Sequence, residues 1–114
     1  DLTKGRKIAV MGDMLELGSD SKSAHEKTGL LAANSDADLV IFIGTEMKAA
    51  FEKTKNSSVK NIIFIAGNSQ GSMEKAALEI KKVLHGSLNS IVFIKGSRGM
   101  GLERISKILL GGDE

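Results

Sequence analysis

The sequence predicts an α/β protein with an open, mainly parallel sheet of at least four strands and helices on both faces. Three observations indicate this fold. Four short apolar runs rich in β-branched residues recur along the chain, segments with helical periodicity separate them, and each run ends in glycine followed by a small polar residue. The resulting order, βαβαβαβα, is typical of parallel strands joined by right-handed crossovers.

The four apolar runs are the predicted strands. They do not alternate cleanly with polar residues, which favours strands that are buried on both faces of a sheet. The runs are Lys7–Met11, Asp38–Ile43, Asn61–Ala66 and Ser90–Lys95.

The first helix is predicted from a capping-box spacing between Ser23 and Glu26. This places its start between residues 21 and 24 and its end near Asn34. We interpret His25 as a surface residue of this helix, with a supporting position behind a site as the alternative.

The clearest helical stripe precedes the last strand. It consists of Met73, Ala76, Ala77, Ile80, Val83 and Leu84. Lys81, Lys82 and His85 fall in its last turn and Gly86 follows, which is typical of a helix C-terminus. Two shorter stripes complete the pattern, Met47, Ala50, Phe51 and Thr54, and Leu102, Ile105 and Leu109. Together these elements predict a Rossmann-like fold.

The composition indicates a single soluble domain covering residues 1–114. A net charge of +2 and the absence of Trp and Tyr argue against nucleic-acid and membrane partners. The chain has no Cys and only two His, which argues against a metal site. Neither a signal peptide nor an apolar run of about 20 residues is present, so we expect a cytoplasmic protein. The start without Met suggests a fragment of a longer chain.

The ends of the four strands carry the candidate site. The pairs there are Gly12-Asp13, Gly44-Thr45, Gly67-Asn68 and Gly96-Ser97. We expect each polar residue to cap the following helix. All four turns lie on the carboxyl edge, where open α/β sheets bind ligands. If the strand order is 3-2-1-4, the turns of Asp13 and Ser97-Arg98 face one crevice.

Ser97 and Arg98 are flanked by glycines, so this turn can bind an anion through backbone N–H groups, a hydroxyl and a guanidinium. The alternative is a glycine-rich turn with exposed charges. Asp13 can bind an ammonium group, a ribose hydroxyl or a metal, or it can cap a helix or turn. Met14, Leu15 and Leu17 are expected to form a loop folded onto the core.

Two nucleotide-binding motifs are missing. The first turn reads GDMLELG instead of G-x-G-x-x-G, and no G-x-x-x-x-G-K-[ST] phosphate loop occurs. Dinucleotide binding of the usual kind and self-contained ATP hydrolysis are therefore poorly supported.

Two stretches carry a family resemblance. The run Ile8–Gly18 followed by His25, and the run Phe93–Met100 followed by Leu102-Glu103, resemble the C-terminal domain of the Mur ligase family over about residues 5–110. The resemblance implies an ATP-dependent ligase that joins D-alanyl-D-alanine to UDP-N-acetylmuramoyl-tripeptide through an acyl phosphate, in peptidoglycan precursor synthesis.

The resemblance also implies where the cofactors bind. ATP and magnesium would be held mainly by a central domain that this chain lacks, and an N-terminal domain would hold the UDP substrate. We therefore expect no catalytic residue, metal ligand or cofactor in this chain, and no activity from it alone. A free-standing Rossmann-like binder of nucleotides or metabolites is the main alternative. A receiver-like domain is disfavoured, because this chain lacks the acidic pair that such a domain requires.

On the same resemblance, Ser97 and Arg98 would hold the dipeptide carboxylate, and Lys95 a carboxylate or phosphate. Asp13 would face the amine or orient the nucleotide. The supporting positions would be Gly12, His25, Gly96 and Gly99. Gly101 departs from the family pattern, which often has a basic residue there.

Overall fold

In the computed structural model the chain forms one parallel sheet flanked by helices. The structure describes residues 5–15, 17–54, 57, 59, 61–87 and 89–111. The elements are β1 (Lys7–Gly12), α1 (Ser21–Ala33), β2 (Leu39–Gly44), α2 (Met47–Glu52), β3 (Ile62–Ala66), α3 (Gln70–Leu84), β4 (Ile91–Lys95) and α4 (Glu103–Leu109), with short 3₁₀ turns at Gly18–Asp20 and Arg98–Met100.

The strand order is β3-β2-β1-β4, and each neighbouring pair is parallel. The predicted fold class is therefore confirmed, and the order is the one under which the turns of Asp13 and Ser97-Arg98 were expected to face each other. The order reverses between β1 and β4, so the turns that follow these two strands lie side by side at the carboxyl edge.

Two apolar clusters pack on opposite faces of the sheet. One joins α3 and α4 to Ile8, Val10 and Ile41 and includes the predicted stripe Met73, Ala76, Ala77 and Ile80. The other joins α1 and α2 to Met11, Val40 and Phe42. Every residue of β2 is buried, which makes this strand the centre of the core.

Strand β4 differs from the prediction that all four strands are buried on both faces. Val92 and Ile94 pack against the cluster under α3 and α4, whereas Ile91 and Phe93 are 63% and 55% exposed. The difference arises because β4 lies at the edge of the sheet. Among the described residues, the cluster under α1 and α2 draws on β1, β2 and β3 but includes no residue of this edge strand.

The helix ends are only partly as predicted. Helix α1 starts and ends within the expected ranges, but its N-cap is Asp20, without a side-chain cap bond, and Ser23 lies inside the helix. The capping-box prediction is therefore wrong. Helix α3 is capped by Ser69, which accepts from the Ser72 N–H at 3.1 Å. It ends at Leu84, so Lys81 and Lys82 lie in its last turn as predicted, but His85 is the C-cap residue just beyond it.

Asp13, Thr45 and Asn68 do not occupy the N-cap position of the next helix, whereas Ser97 is the N-cap residue of the 3₁₀ turn at Arg98–Met100 but makes no side-chain cap bond. The N-cap positions of α2, α3 and α4 are Glu46, Ser69 and Leu102, one to several residues further along the chain. None of the described helices has both the length and the apolar character needed to span a membrane.

Candidate functional site

Asp13 is 4% exposed and bonds to the loop of the neighbouring strand. Its Oδ2 accepts the Thr45 N–H at 2.8 Å, and its Oδ1 accepts the Met47 N–H at 2.9 Å. These N–H groups lie at the start of α2, where backbone donors have no partner within the helix. Asp13 is thus a cap, as one sequence interpretation held, but it caps α2 from the end of β1.

Gly44 makes room for this carboxylate. Its φ is +131°, and a Cβ atom at this position would overlap both carboxylate oxygens of Asp13. The glycine at the end of β2 is therefore required by the close approach of the Asp13 side chain as well as by the backbone turn.

Ser97 joins the turn after β4 directly to the turn after β1. Its N–H donates to the Asp13 carbonyl at 2.9 Å, and its Oγ accepts the Leu15 N–H at 2.7 Å. The two turns that were expected to face each other across a crevice are therefore bonded to each other. Since the Ser97 hydroxyl accepts from Leu15, its own proton remains available to a ligand.

Gly12 and Gly96 allow the ends of β1 and β4 to lie beneath Leu102. A Cβ on either glycine would come within 2.7 Å of a Leu102 methyl group, and one on Gly96 would also lie 3.1 Å from the Gly12 Cα. Gly99 likewise leaves room for the loop after β1, because a Cβ there would lie 2.9 Å from the Leu15 Cδ1. These three positions support the turns and hold no ligand-binding side chain.

The open space of the site lies beside the Ser97 turn, between β4 and α4. This groove has a volume of about 550 Å³ and is lined by Ile94, Gly96, Ser97, Arg98, Leu102, Glu103 and Ser106. Arg98 is exposed and takes part in none of the ion pairs found among the described residues. Its guanidinium is therefore available to an anion that enters the groove.

A smaller depression of about 130 Å³ lies over the ends of β1, β2 and β3. It is lined by Asp13, Leu15, Gly44, Thr45, Gly67, Asn68 and Met100. The structure thus places Asp13 and Arg98 at different openings, and Ser97 joins the turns that carry these two residues.

Lys95 does not join Arg98 in the groove. It follows Phe93 on the exposed side of β4, whereas the groove-lining Ile94 points to the opposite face. The structure therefore brings Ser97 and Arg98 together in the groove, places Asp13 at the smaller depression and leaves Lys95 on the other face of the sheet.

His25 is completely buried, so its interpretation as a surface residue is wrong. Its Nε2 accepts the Met14 N–H at 2.9 Å. This places it behind the loop after β1, as the alternative interpretation held. The burial arises because His25, Gly29, Ala32 and Ala33 form the buried stripe of α1, at helical spacing.

The loop after β1 is not folded onto the core as expected. Met14 is half-buried, but Leu15 and Leu17 are 42% and 37% exposed. Backbone hydrogen bonds to His25 and Ser97 hold this loop, so its apolar side chains are not needed to fix it.

Arg104 supports the site and was not identified from the sequence. Its guanidinium donates to three backbone carbonyls, those of Gly101 at 2.8 Å, Asn68 at 2.7 Å and Met100 at 2.9 Å. It thereby joins the turn after β3 to the turn after β4. A cation in the first turn of a helix is unfavourable for the helix dipole, and this was the available signal of a local role.

The resolved shifts in pKa lie away from the site, at the amino edge of the sheet. The hydrogen bond between Lys7 and Asp36 raises the pKa of the lysine and lowers the pKa of the carboxyl. Both side chains are largely exposed, so the pair contributes little to stability.

Among the described residues, no group of three or more His, Asp and Glu could hold a metal ion. Asp13, a buried carboxylate at the described part of the carboxyl edge, already accepts two backbone N–H groups.

Comparisons with known proteins all find similarity to one kind of ligase. The chain is 31% identical over 103 residues to the UDP-N-acetylmuramoyl-tripeptide–D-alanyl-D-alanine ligase of Treponema pallidum, and 26% identical over 107 residues to the Escherichia coli protein of that name. These matches cover 90% and 92% of this chain but only 21% of either relative. No protein-family model matches the chain.

Solved structures give the same answer for the fold. A MurF crystal structure from Acinetobacter baumannii superposes with a TM-score of 0.74 at 27% identity, covering 96% of this chain and 23% of that one. A MurF ligase from Thermotoga maritima in complex with ADP gives a TM-score of 0.62 at 26% identity, with coverage of 96% and 23%. The chain spans about a fifth of the length of the proteins that it matches.

Proposed function

Because this chain belongs to the Mur ligase family, as its two edge motifs predict, we propose that it is the C-terminal domain of a longer ATP-dependent ligase. That enzyme joins D-alanyl-D-alanine to UDP-N-acetylmuramoyl-tripeptide during peptidoglycan precursor synthesis. Similarity over nine-tenths of the chain to ligases of this name supports the proposal. The neighbour in complex with ADP supports the use of ATP.

The remaining parts of the reaction belong to other domains of the same enzyme. A central domain binds ATP and magnesium, and an N-terminal domain binds the UDP substrate. Transfer of the γ-phosphoryl group from ATP to the tripeptide carboxylate gives an acyl phosphate and releases ADP. The dipeptide amine then attacks the acyl carbon, the C–O bond to phosphate breaks, and the amine loses a proton. This chain orients the dipeptide for that attack and is inactive alone.

The free guanidinium beside the bonded Ser97 turn is the observation that carries this proposal. Arg98 lines the groove, and a guanidinium binds a carboxylate through two parallel hydrogen bonds. The Ser97 hydroxyl, held in place by the Leu15 N–H, donates a further hydrogen bond to the same group. The carboxylate of D-alanyl-D-alanine is the ligand that this pair recognises.

Asp13 and Lys95 have different roles in this proposal. Both oxygens of Asp13 accept N–H groups at the start of α2, so we assign this residue to positioning the two adjoining turns. Lys95 lies on the opposite face of the sheet from the groove, and there it can bind a phosphate held by another domain.

The proposal is tested with the Arg98→Ala variant of the full-length enzyme. Loss of the guanidinium removes a charge-assisted pair, so we expect the KM for D-alanyl-D-alanine to rise by about tenfold or more, while the KM for ATP stays within about twofold. Arg6→Ala is the matched control, because it removes the same charge at the amino edge. Equal rises in both KM values, or no rise, would contradict the carboxylate role.

A further inference from the structure

His25 is a buried ionisable group that the proposed function does not yet use. Its ring is 0% exposed, and both of its nitrogens are bonded to the backbone. Nε2 accepts the Met14 N–H at 2.9 Å, and Nδ1 lies 2.6 Å from the Ser21 carbonyl oxygen. An N–H can only donate and a carbonyl can only accept, so the ring is neutral with its proton on Nδ1.

The Met14 amide lies between the two groups that bind Ser97. The Asp13 carbonyl accepts the Ser97 N–H on one side, and the Leu15 N–H donates to the Ser97 Oγ on the other. Three successive residues are therefore fixed, the outer two by Ser97 and the middle one by His25. The Met14 N–H and the Asp13 carbonyl belong to the same planar peptide unit, so rotation of that unit would turn the Asp13 carbonyl away from Ser97.

A second contact connects the same imidazole to the turn after β2. The Ser21 Oγ lies 3.2 Å from Nδ1 and donates to the Glu46 Oε1 at 3.1 Å. Glu46 is the N-cap of α2, the helix whose first N–H groups Asp13 accepts. The imidazole thus lies between the turns that follow β1 and β2.

We propose that His25 is a positioning residue for the dipeptide: its neutral imidazole holds the Met14 peptide, and through it the Ser97-Arg98 turn, in the orientation that binds the substrate carboxylate. This inference rests on the proposed function. His25 touches neither substrate, so its effect is on the geometry of the groove. A small misplacement of a binding group is sufficient to weaken binding severely.

Two polar substitutions separate this role from general support of the fold. In His25→Asn the shorter amide can replace Nδ1 but does not reach Met14, whereas in His25→Gln the amide oxygen can take the place of Nε2. In the full-length enzyme we expect His25→Asn to raise the KM for D-alanyl-D-alanine about tenfold and His25→Gln less than about threefold. The KM for ATP should stay within about twofold in both.

Ile80→Val is the control for lost stability. Ile80 is a buried residue of α3, which packs on the face of the sheet opposite to α1 and His25. We expect it to lower the unfolding temperature without changing either KM. Equal KM values in the Asn and Gln variants, or a similar rise in Ile80→Val, would overturn the inference.

Arg98→Ala, measured in the same series, separates the two proposals. A raised KM in Arg98→Ala with none in His25→Asn overturns the role of His25 alone. No change in Arg98→Ala overturns the carboxylate site and, with it, the role of His25 at that site.

Discussion

At the level of single residues, Asp13 connects three turns of the carboxyl edge, because its side chain accepts the Thr45 and Met47 N–H groups and its carbonyl accepts the Ser97 N–H. The glycine before Asp13 predicted an edge position, and the structure confirms that position. The partners of the carboxylate could not be predicted, because Thr45 and Met47 are more than 30 residues away along the chain. His25 was missed because its buried stripe contains only small residues, whereas the larger Leu30 and Leu31 are 43% and 72% exposed.

Asp13→Asn tests the cap of α2. An amide at this position can accept one of the two N–H groups but presents its own NH₂ to the other, so one hydrogen bond is lost in a buried place. We expect the free energy of unfolding to fall by about 1–3 kcal/mol, measured by urea denaturation. Asp20→Asn is the control, because the Asp20 side chain makes no cap bond, and it should change stability by less than about 0.5 kcal/mol. Similar losses in both variants would contradict the cap.

At the level of the elements, apolar runs and helical stripes were reliable because burial of a strand or helix face selects them directly. Helix starts were less reliable. The Ser23 and Glu26 spacing fits a capping box, yet α1 begins at Ser21, since a short 3₁₀ turn leads directly into it. Close approaches between helices could not be predicted from the sequence either. Gly29 of α1 packs against Ala50 of α2, and neither residue carries a strong apolar signal.

Gly29→Ala and Gly71→Ala should have opposite effects on stability, although both glycines are helical. A Cβ at Gly29 would lie 2.5 Å from the Ala50 Cβ, so α1 and α2 must move apart, and we expect a loss of about 1–3 kcal/mol. A Cβ at Gly71 meets the Ser69 Oγ at an ordinary 3.6 Å, so Ala there should stabilise α3 by up to about 1 kcal/mol. Thermal unfolding of the two variants measures both effects. A loss in Gly71→Ala, or none in Gly29→Ala, would contradict this packing.

At the level of the whole molecule, the parallel sheet places all four glycine-containing turns on one edge, and hydrogen bonds then join them into one unit. Ser97 joins the turns after β1 and β4, Asp13 reaches the turn after β2, and Arg104 reaches the turn after β3. The shared edge follows from the βα alternation and was predicted, whereas the strand order entered only as a condition. The exposed face of β4 was not, because burial of an edge strand depends on which helices reach it.

Binding of the dipeptide carboxylate by Arg98 is tested by equilibrium binding of D-alanyl-D-alanine and of its C-terminal amide to the full-length enzyme, with and without Arg98→Ala. The wild-type enzyme should bind the free acid about tenfold or more tightly than the amide, and Arg98→Ala should bind the two with nearly equal affinity. If Arg98→Ala keeps the wild-type preference for the acid, the carboxylate is bound elsewhere and the account is wrong.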